Sequence, residues 1–317
     1  MQKQAQVLIE TRQLSKSFEG EQAVNKVDLS IRAGEIVALL GANGAGKTTL
    51  INMLLGRLKP DSGSIEVAGF APGTYQAKQL IGAILQSTKL PDNLTVAEQI
   101  RLFLSYYANP YDYDELVDIA KLSTILNKRF KQLSGGQKQR VFFALAICGQ
   151  PKVAFLDEPT VGLDAESRRE FWACIRRLAA NGTSVLLTTH YMAEAEALAD
   201  RVYLLKHGEM IHEGSPDSLV NALGAKTIRF KSATSISHFE KMTAILSADM
   251  IDGYIQLSSA NVVQSLREIL NVSDINELTV YQKTLEDAFL ALTGESHELL
   301  KDVKKKESKK LSKEKAA

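Results

Sequence analysis

A glycine-rich segment contains the first residues whose types and spacing could do chemistry. It reads Gly41-Ala-Asn-Gly-Ala-Gly46-Lys47-Thr48 and fits the pattern G-x-x-x-x-G-K-S/T. Glycines at these positions let backbone N–H groups converge on phosphate oxygens, and a following helix adds positive potential at its N-terminus. Lys47 would bring a mobile charge to the β- and γ-phosphates, and Thr48 a hydroxyl to Mg²⁺. The segment predicts a nucleoside triphosphate site, against the alternative of a chance glycine-rich turn.

Two adjacent carboxylates follow an apolar run about 110 residues further on. The run is Val153–Leu156, and it ends in Asp157 and Glu158. Parallel α/β sheets bind ligands at the carboxyl ends of their strands, so both acids would lie beside the glycine-rich segment. Asp157 could then orient the Mg²⁺ shell, while Glu158 could position the attacking water or accept its proton. Taken alone, the two acids are equally well explained as a solvated strand end.

A second candidate anion site lies at Leu133-Ser134-Gly135-Gly136-Gln137, just before an apolar helical pattern. A helix that begins here would expose backbone N–H donors and the serine hydroxyl. Because residues 41–48 would already hold the phosphates of one nucleotide, a second such site suggests two subunits that share their nucleotides. The alternative is that Ser134 is only a helix cap.

With these motifs in this order, the sequence resembles the ABC ATPase family from about Leu8 to Pro216. The resemblance implies ATP and Mg²⁺ as cofactors, and a dimer in which residues 133–137 close on the ATP of the opposite protomer. It also implies an aromatic stacking role for Phe18 with Val24 behind it, although Tyr is commoner there. Val161 stands where many relatives have Ser.

The resemblance assigns a role to each matching position. The implied catalytic residues are Glu158, His190 and Gln86, of which His190 would contact the γ-phosphate and Gln86 would sense the membrane domain. The implied metal positions are Thr48, Gln86 and Asp157. The implied nucleotide-binding positions are Phe18, Val24, Gly41, Ala42, Asn43, Gly44, Ala45, Gly46, Lys47, Thr48, Thr49, Ser134, Gly135, Gly136, Gln137 and Asp164.

Several segments are similar to drug and ABC-2-type export subunits within that family. They are residues 94–98, 158–164, 191–196, 285–290 and 292–294. The resemblance implies an ATP-hydrolysing subunit that powers an exporter, with a separate transmembrane permease and a second copy of itself as partners. It would contact the membrane through the permease, on the cytoplasmic face. The alternatives are a soluble ABC ATPase in translation, repair or assembly, and an inactive regulatory cassette.

Short buried strands that alternate with helices predict an α/β layered domain with a largely parallel sheet. The resemblance refines this to an ABC cassette of residues 1–220, made of a RecA-like core sheet, an antiparallel β subdomain and an α-helical subdomain at about 87–145. The predicted strands are Val7–Gln13, Val24–Ile31, Glu35–Leu40, Val153–Leu156 and Ser184–Thr188, and the predicted helices are Thr48–Leu58, Ala165–Ala180 and most of 94–129.

A small α+β appendage is predicted for residues 221–294. Its expected strands are Thr227–Lys231, Tyr254–Leu257 and Glu277–Tyr281, and its expected helices are Ser237–Leu246, Val262–Leu270 and Thr284–Leu292. Residues 295–317 read as a disordered tail, in which residues 301–317 contain eight Lys and three acids. A solubilising role and an attraction to anionic lipid are both open for this tail.

Composition limits the classes of protein that remain possible. The formal net charge of +1 argues against nucleic acid as a partner. The longest apolar run, Val141–Cys148, is shorter than the roughly 18 residues that span a bilayer, and residues 1–10 lack a signal-peptide pattern. We therefore expect a cytosolic protein. Cys148 and Cys174 lie in apolar, helix-like sequence and are predicted to be core thiols.

Overall fold

The computed structural model describes residues 6–85, 90–222, 226–272, 274–281 and 283–293. The chain divides into two compact units, Met1–Pro216 and Asp217–Ala317. In the described part of the chain, no helix combines the length and the apolar composition that crossing a bilayer requires.

The first unit alternates strands and helices. Its strands are β1 (Val7–Phe18), β2 (Glu21–Arg32), β3 (Ile36–Leu40), β4 (Ser62–Val67), β5 (Ile81–Ile84), β6 (Val153–Asp157), β7 (Ser184–Thr188), β8 (Arg201–Lys206) and β9 (Glu209–Gly214). Its helices are α1 (Lys47–Leu54), α2 (Tyr75–Gln79), α3 (Val96–Leu104), α4 (Tyr113–Ile119), α5 (Gly135–Ile147), α6 (Ala165–Ala180) and α7 (Met192–Leu198). Helix α8 (Pro216–Ala222) starts at the division between the units.

The central sheet of this unit has the strand order β5-β6-β7-β3-β8-β9, and only β9 pairs antiparallel. Every residue of β3, β6 and β7 is buried, which is typical of a parallel sheet covered on both faces. The prediction of a largely parallel α/β sheet is confirmed. Because parallel strands end at the same edge, the residues that follow β3, β6 and β7 are brought to one edge of the sheet.

A second, antiparallel sheet has the order β2-β1-β4. Its inner side chains share one apolar core with the central sheet, and this core includes Leu14, Val24 and Phe155. Strand β1 extends beyond the predicted Gln13 as far as Phe18, because it pairs with β2 through Phe18↔Glu21. This pairing determines where Phe18 lies.

The helical region between β5 and β6 is less regular than the sequence pattern suggested. Helix α3 begins with a capping box, in which Thr95 Oγ1 accepts from Glu98 N–H at 3.2 Å and Thr95 N–H donates to Glu98 Oε2 at 2.8 Å. Between α4 and α5, a stretch that the structure describes throughout, the chain forms two short 3₁₀ turns, Ser123–Ile125 and Phe130–Gln132. Pro110 lies between α3 and α4, where its missing N–H disfavours a continuous helix.

The second unit contains β10 (Lys226–Lys231), α9 (Ile236–Phe239), β11 (Ile245–Ile251), β12 (Tyr254–Ser259), α10 (Val262–Ile269), β13 (Asn276–Tyr281) and α11 (Leu285–Thr293). Its antiparallel sheet has the order β11-β12-β10-β13. This β-α-β-β-α-β succession is the ferredoxin-like arrangement.

The prediction of a helix over Ser237–Leu246 is wrong in its second half. The helix ends at Phe239, and Ile245 already belongs to β11. Asp252 and Gly253 both have positive φ, 51° and 77°. Positive φ at both residues is typical of the two-residue turns that join hairpin strands. The backbone pairing of β11 with β12 therefore overrides the helical pattern that the sequence has up to Leu246.

Both cysteines are buried, as predicted, and burial raises the pKa of the Cys148 thiol to about 12. Burial also raises the pKa of the Cys174 thiol, so little thiolate forms at pH 8, and only the thiolate reacts with alkylating reagents. We expect iodoacetamide to label the folded chain more than about tenfold more slowly than the chain unfolded in guanidinium. Intact-mass spectrometry measures this, and fast stoichiometric labelling of the folded chain would contradict it.

Candidate active site

The glycine-rich loop connects buried strand β3 to helix α1, as the motif requires. Gly46 is the N-cap of α1 and has φ 105°. A Cβ at Gly46 would lie 2.2 Å from the carbonyl oxygen of Ala23, and a Cβ at Gly41 would lie 2.5 Å from that of Leu205. Larger residues are therefore excluded at both positions by neighbouring backbone.

The Lys47 ammonium lies against the loop that precedes it. Its Nζ donates to the carbonyl oxygens of Gly41 at 2.7 Å and Ala42 at 2.9 Å. Around it, Asn43, Gly44 and Thr48 are exposed, Ala42, Gly46 and Thr49 are half-buried, and Ala45 is buried. A helix N-terminus, two left-handed glycines and a cation in one loop fit a polyphosphate.

Asp157 ends β6 and is buried, with a fractional exposure of 8%. The Thr188 hydroxyl donates to its Oδ1 at 2.5 Å. Burial raises the pKa of Asp157 and nearby Glu158 adds to this, while the Thr188 hydrogen bond and Lys47 act in the opposite direction. A cation beside this carboxylate would favour its ionised form.

The donor set fits Mg²⁺ shared with a nucleotide. Mg²⁺ is usually held by one or two carboxylates together with waters and substrate phosphates, rather than by a full protein cage. Asp157 provides the carboxylate and exposed Thr48 a hydroxyl. Among the described residues no group of three or more His, Cys, Asp or Glu side chains could hold a metal.

Glu158 and His190 are brought together by the adjacent ends of β6 and β7. Glu158 has φ 48°, and its N–H donates to Thr188 at both the carbonyl oxygen and Oγ1, each at 3.1 Å. The left-handed turn places Glu158 Oε1 3.3 Å from His190 Nδ1. The Glu158 side chain is 17% exposed and that of His190 is 46% exposed. The two groups are in direct contact, so the imidazole can hold the carboxylate in place while the carboxylate accepts a proton from a water bound beside the pair.

Tyr191 and Arg168 support His190 but were not identified from the sequence. The Tyr191 ring lies 4.3 Å from the His190 ring between centroids, and the Arg168 guanidinium lies 4.4 Å from the Tyr191 ring centroid. Arg168 also donates to the carbonyl oxygen of Leu163 at 3.2 Å. No local pattern signals this set, because Arg168 lies on α6 and meets Tyr191 only in the folded chain.

The Ser134 segment forms the N-terminus of α5. Ser134 Oγ accepts from Gln137 N–H at 3.3 Å, and Gln137 Oε1 accepts from Ser134 N–H at 3.1 Å. This is a capping box, so Ser134 caps α5. Ser134 and Gly135 remain exposed, which leaves the helix end accessible to a ligand.

Asp164 lies beside this segment in the same chain. Its carboxylate caps α6 by accepting from Ser167 N–H at 2.8 Å and Ser167 Oγ at 2.9 Å, and these bonds lower the pKa of Asp164. A Cβ at Gly136 would lie 3.2 Å from Ser167 Oγ. The α5 and α6 N-termini are therefore packed together.

The remaining predicted positions differ in their surroundings. Phe18 is 47% exposed at the end of β1, so part of its ring is accessible for stacking, and Lys16 Nζ lies over the ring at 5.6 Å from its centroid. Val24 is fully buried in the core, so its side chain is not exposed at the surface beside Phe18. Gln86 lies outside the described residues.

A cavity of about 280 Å³ borders both carboxylates. Gln139 and Phe142 of α5 line it together with Asp157, Glu158 and Val161. Gln139 Oε1 is buried without a hydrogen-bond partner among the described residues. The sequence gives no sign of this cavity, because it forms only where α5 packs beside the end of β6.

This fold and site define a phosphate-loop nucleotide hydrolase, and the comparisons with known proteins agree. The family described as ABC transporter matches residues 24–161. The chain is 34% identical to the Nod factor export ATP-binding protein I of Burkholderia lata, over 90% of this chain and 97% of that protein. It is 34% identical to the daunorubicin/doxorubicin resistance ATP-binding protein DrrA of Streptomyces peucetius, over 90% and 92%.

One of the solved structures to which the chain is similar is the dimeric post-hydrolysis state of an ATP-binding cassette bound to ADP and Pi. It matches with a TM-score of 0.58 and 27% identity, over 66% of this chain and 98% of that one. The chain thus belongs to the ATP-binding proteins of ABC transporters, and it is an ATP hydrolase of that family.

Proposed function

We propose that this chain is the ATP-hydrolysing subunit of an exporter whose membrane-spanning part is a separate polypeptide. The observation that carries the hydrolytic part is the contact of Glu158 with His190 beside buried Asp157. The export part is supported by relatives that are named for export or drug resistance and are matched over nearly their whole length.

The site residues have distinct roles in this proposal. Lys47 and the loop amides bind the β- and γ-phosphates, and Phe18 stacks on the base. Thr48, Asp157 and Gln86 would hold Mg²⁺, which supplies charge neutralisation at the phosphates. Glu158 accepts a proton from the attacking water, and His190 keeps Glu158 oriented and faces the γ-phosphate.

The active form in this proposal is a dimer of identical chains. Ser134–Gln137 of one protomer complete the phosphate site on the loop of the other, with Asp164 near the crossing point. Support comes from the dimeric cassette among the similar structures and from the exposed N-terminus of α5. A helix N-terminus attracts phosphate through its N–H groups and its dipole.

The remaining proposals concern organisation and location. Residues 1–220 are the cassette, with a helical subdomain at about 87–145 that receives the membrane partner. Residues 221–294 are an accessory domain and 295–317 a tail. The chain works at the cytoplasmic face of the cell membrane, which it contacts through the permease, with no nucleic acid as partner.

The test is a pull-down from detergent-solubilised native membranes. The bait is the Glu158→Gln chain with ATP, and the matched control is the Lys47→Ala chain, which we expect to bind ATP weakly. We expect a polytopic membrane protein in stoichiometric amount with the first bait and less with the second. Recovery of only ribosomal, DNA-associated or assembly proteins would favour the soluble alternative and contradict the transport proposal.

A further inference from the structure

Thr188 is the last residue of β7, and its side chain contacts both carboxylate residues of the site. Its hydroxyl donates to Asp157 Oδ1 at 2.5 Å and accepts from the Glu158 N–H at 3.1 Å. The side chain is fully buried. One hydroxyl therefore connects the residue that would hold the metal ion with the residue that would accept the proton.

The rest of β7 shows that this hydroxyl is not required by the strand. Val185, Leu186 and Leu187 precede Thr188, and all are fully buried in apolar surroundings. A buried hydroxyl is unfavourable unless its hydrogen bonds are made, and here the bonds go to Asp157 and Glu158. The ladder between β6 and β7 pairs Asp157 with Thr188 through the backbone and would survive loss of the hydroxyl.

Both contacts act on geometry that hydrolysis needs. The bond to Oδ1 restricts the orientation of the Asp157 carboxylate and leaves Oδ2 for another ligand. The Glu158 N–H is shared between the Thr188 hydroxyl and the Thr188 carbonyl oxygen, each at 3.1 Å, and the hydroxyl adds to the support of a backbone at φ 48°. Non-glycine residues adopt this left-handed conformation only when their surroundings hold them. That conformation directs Glu158 towards His190.

We propose that Thr188 is a positioning residue for ATP hydrolysis, whose hydroxyl holds the Asp157 carboxylate and the Glu158 turn in their working geometry. This inference rests on the roles proposed above for Asp157 and Glu158. It assigns to Thr188 a function in turnover, beyond its place in the sheet.

A matched control is available at the other end of the same strand. Thr183 immediately precedes β7, is 5% exposed, and donates its hydroxyl to the carbonyl oxygen of Pro151 at 2.9 Å. Thr183→Val and Thr188→Val each remove one buried, hydrogen-bonded hydroxyl while keeping the side-chain shape. A general loss of stability would be similar in both, whereas a loss of positioning would appear only at Thr188.

The experiment measures steady-state ATP hydrolysis, thermal unfolding without nucleotide, and binding of a fluorescent ATP analogue with and without Mg²⁺. For Thr188→Val we expect kcat to fall by roughly 10- to 100-fold, as for residues that orient ligands, with the KM for ATP changed less than about threefold. The tightening of analogue binding by Mg²⁺ should also be reduced. Thr188→Ser should restore most of the rate, and Thr183→Val should turn over like the wild type.

Equal turnover by Thr188→Val and Thr183→Val would overturn the inference, as would a Thr188→Ser chain as slow as the valine variant. If Thr188→Val does not fold, Thr188→Ala and Thr188→Ser, which differ by the hydroxyl alone, answer the same question. A wild-type chain without ATP hydrolysis would instead contradict the proposed function, so the two failures are distinguishable.

Discussion

The Glu158→Gln chain is expected to bind ATP and to hydrolyse it roughly 10²- to 10⁴-fold more slowly than the wild type, the range for loss of a general base. Glutamine has nearly the same shape, so the contact with His190 Nδ1, now 3.3 Å from Glu158 Oε1, can persist as a hydrogen bond. What is lost is the ability to accept a proton. Phosphate release gives the rate, and a fluorescent ATP analogue gives the affinity.

Slow hydrolysis should also change the oligomeric state of this variant. If ATP joins two chains and its cleavage separates them, Glu158→Gln should accumulate as an ATP-bound dimer in light scattering, and removal of ATP should return it to monomer. Glu66→Gln is a suitable control because Glu66 is exposed on β4, in a different sheet from the site. A monomeric Glu158→Gln chain with normal turnover would refute both the catalytic role and the proposed dimer cycle.

The Lys47→Ala chain is expected to lose most of its affinity for ATP. Removing a charged partner from a desolvated ion contact costs at least ~2 kcal/mol, which corresponds to about 30-fold in Kd. The Lys47 ammonium lies 2.7 Å from the Gly41 carbonyl oxygen of the same loop. Residues 41–48 contain no other charged side chain, so none can replace its charge. The same loss should appear as a smaller rise of Tm on adding ATP.

Two comparisons make the Lys47 result specific. Lys59→Ala removes an exposed lysine after α1 and should bind ATP like the wild type. The Tm of Lys47→Ala without ATP should stay close to that of the wild type, because the Lys47 side chain contacts the loop backbone and is not part of the apolar core. Unchanged ATP binding by Lys47→Ala would mean that the phosphates are held elsewhere.

Elements with strong local signals were predicted closely. Helix α6 spans Ala165–Ala180, the range expected from the sequence. Asp164 caps its first turn through Ser167 N–H, and Gly182 follows its end with φ 95°. Start and stop signals of this kind act within a few residues, so they do not depend on the rest of the fold.

Elements whose state depends on a distant partner were predicted less well. Residues 245–246 were expected to end a helix, but they begin β11, which pairs with β12 across the Asp252-Gly253 turn. An edge strand of this kind is stabilised by its neighbour and by one face of side chains, so its own sequence is ambiguous. The turn itself was a usable signal that the sequence reasoning missed.

The features of the candidate site also fall into those that depend on local sequence and those that depend on distant parts of the chain. The sequence by itself determined which groups are present: the glycines and Lys47 of the phosphate loop, the paired acids after β6, and the residues that resemble the ABC family motifs. Motifs of this kind lie within a few consecutive residues, so their chemistry can be read along the chain.

Only the tertiary structure decided how these groups meet. The 3.3 Å contact of Glu158 with His190, the Thr188 hydroxyl on Asp157, and the Arg168–Tyr191 stack all join residues from different elements. They come together because β6 and β7 are parallel neighbours whose carboxyl ends share one edge of the sheet, next to the end of β3. Which strands become neighbours is settled by the packing of the whole core, and no local stretch of sequence encodes it.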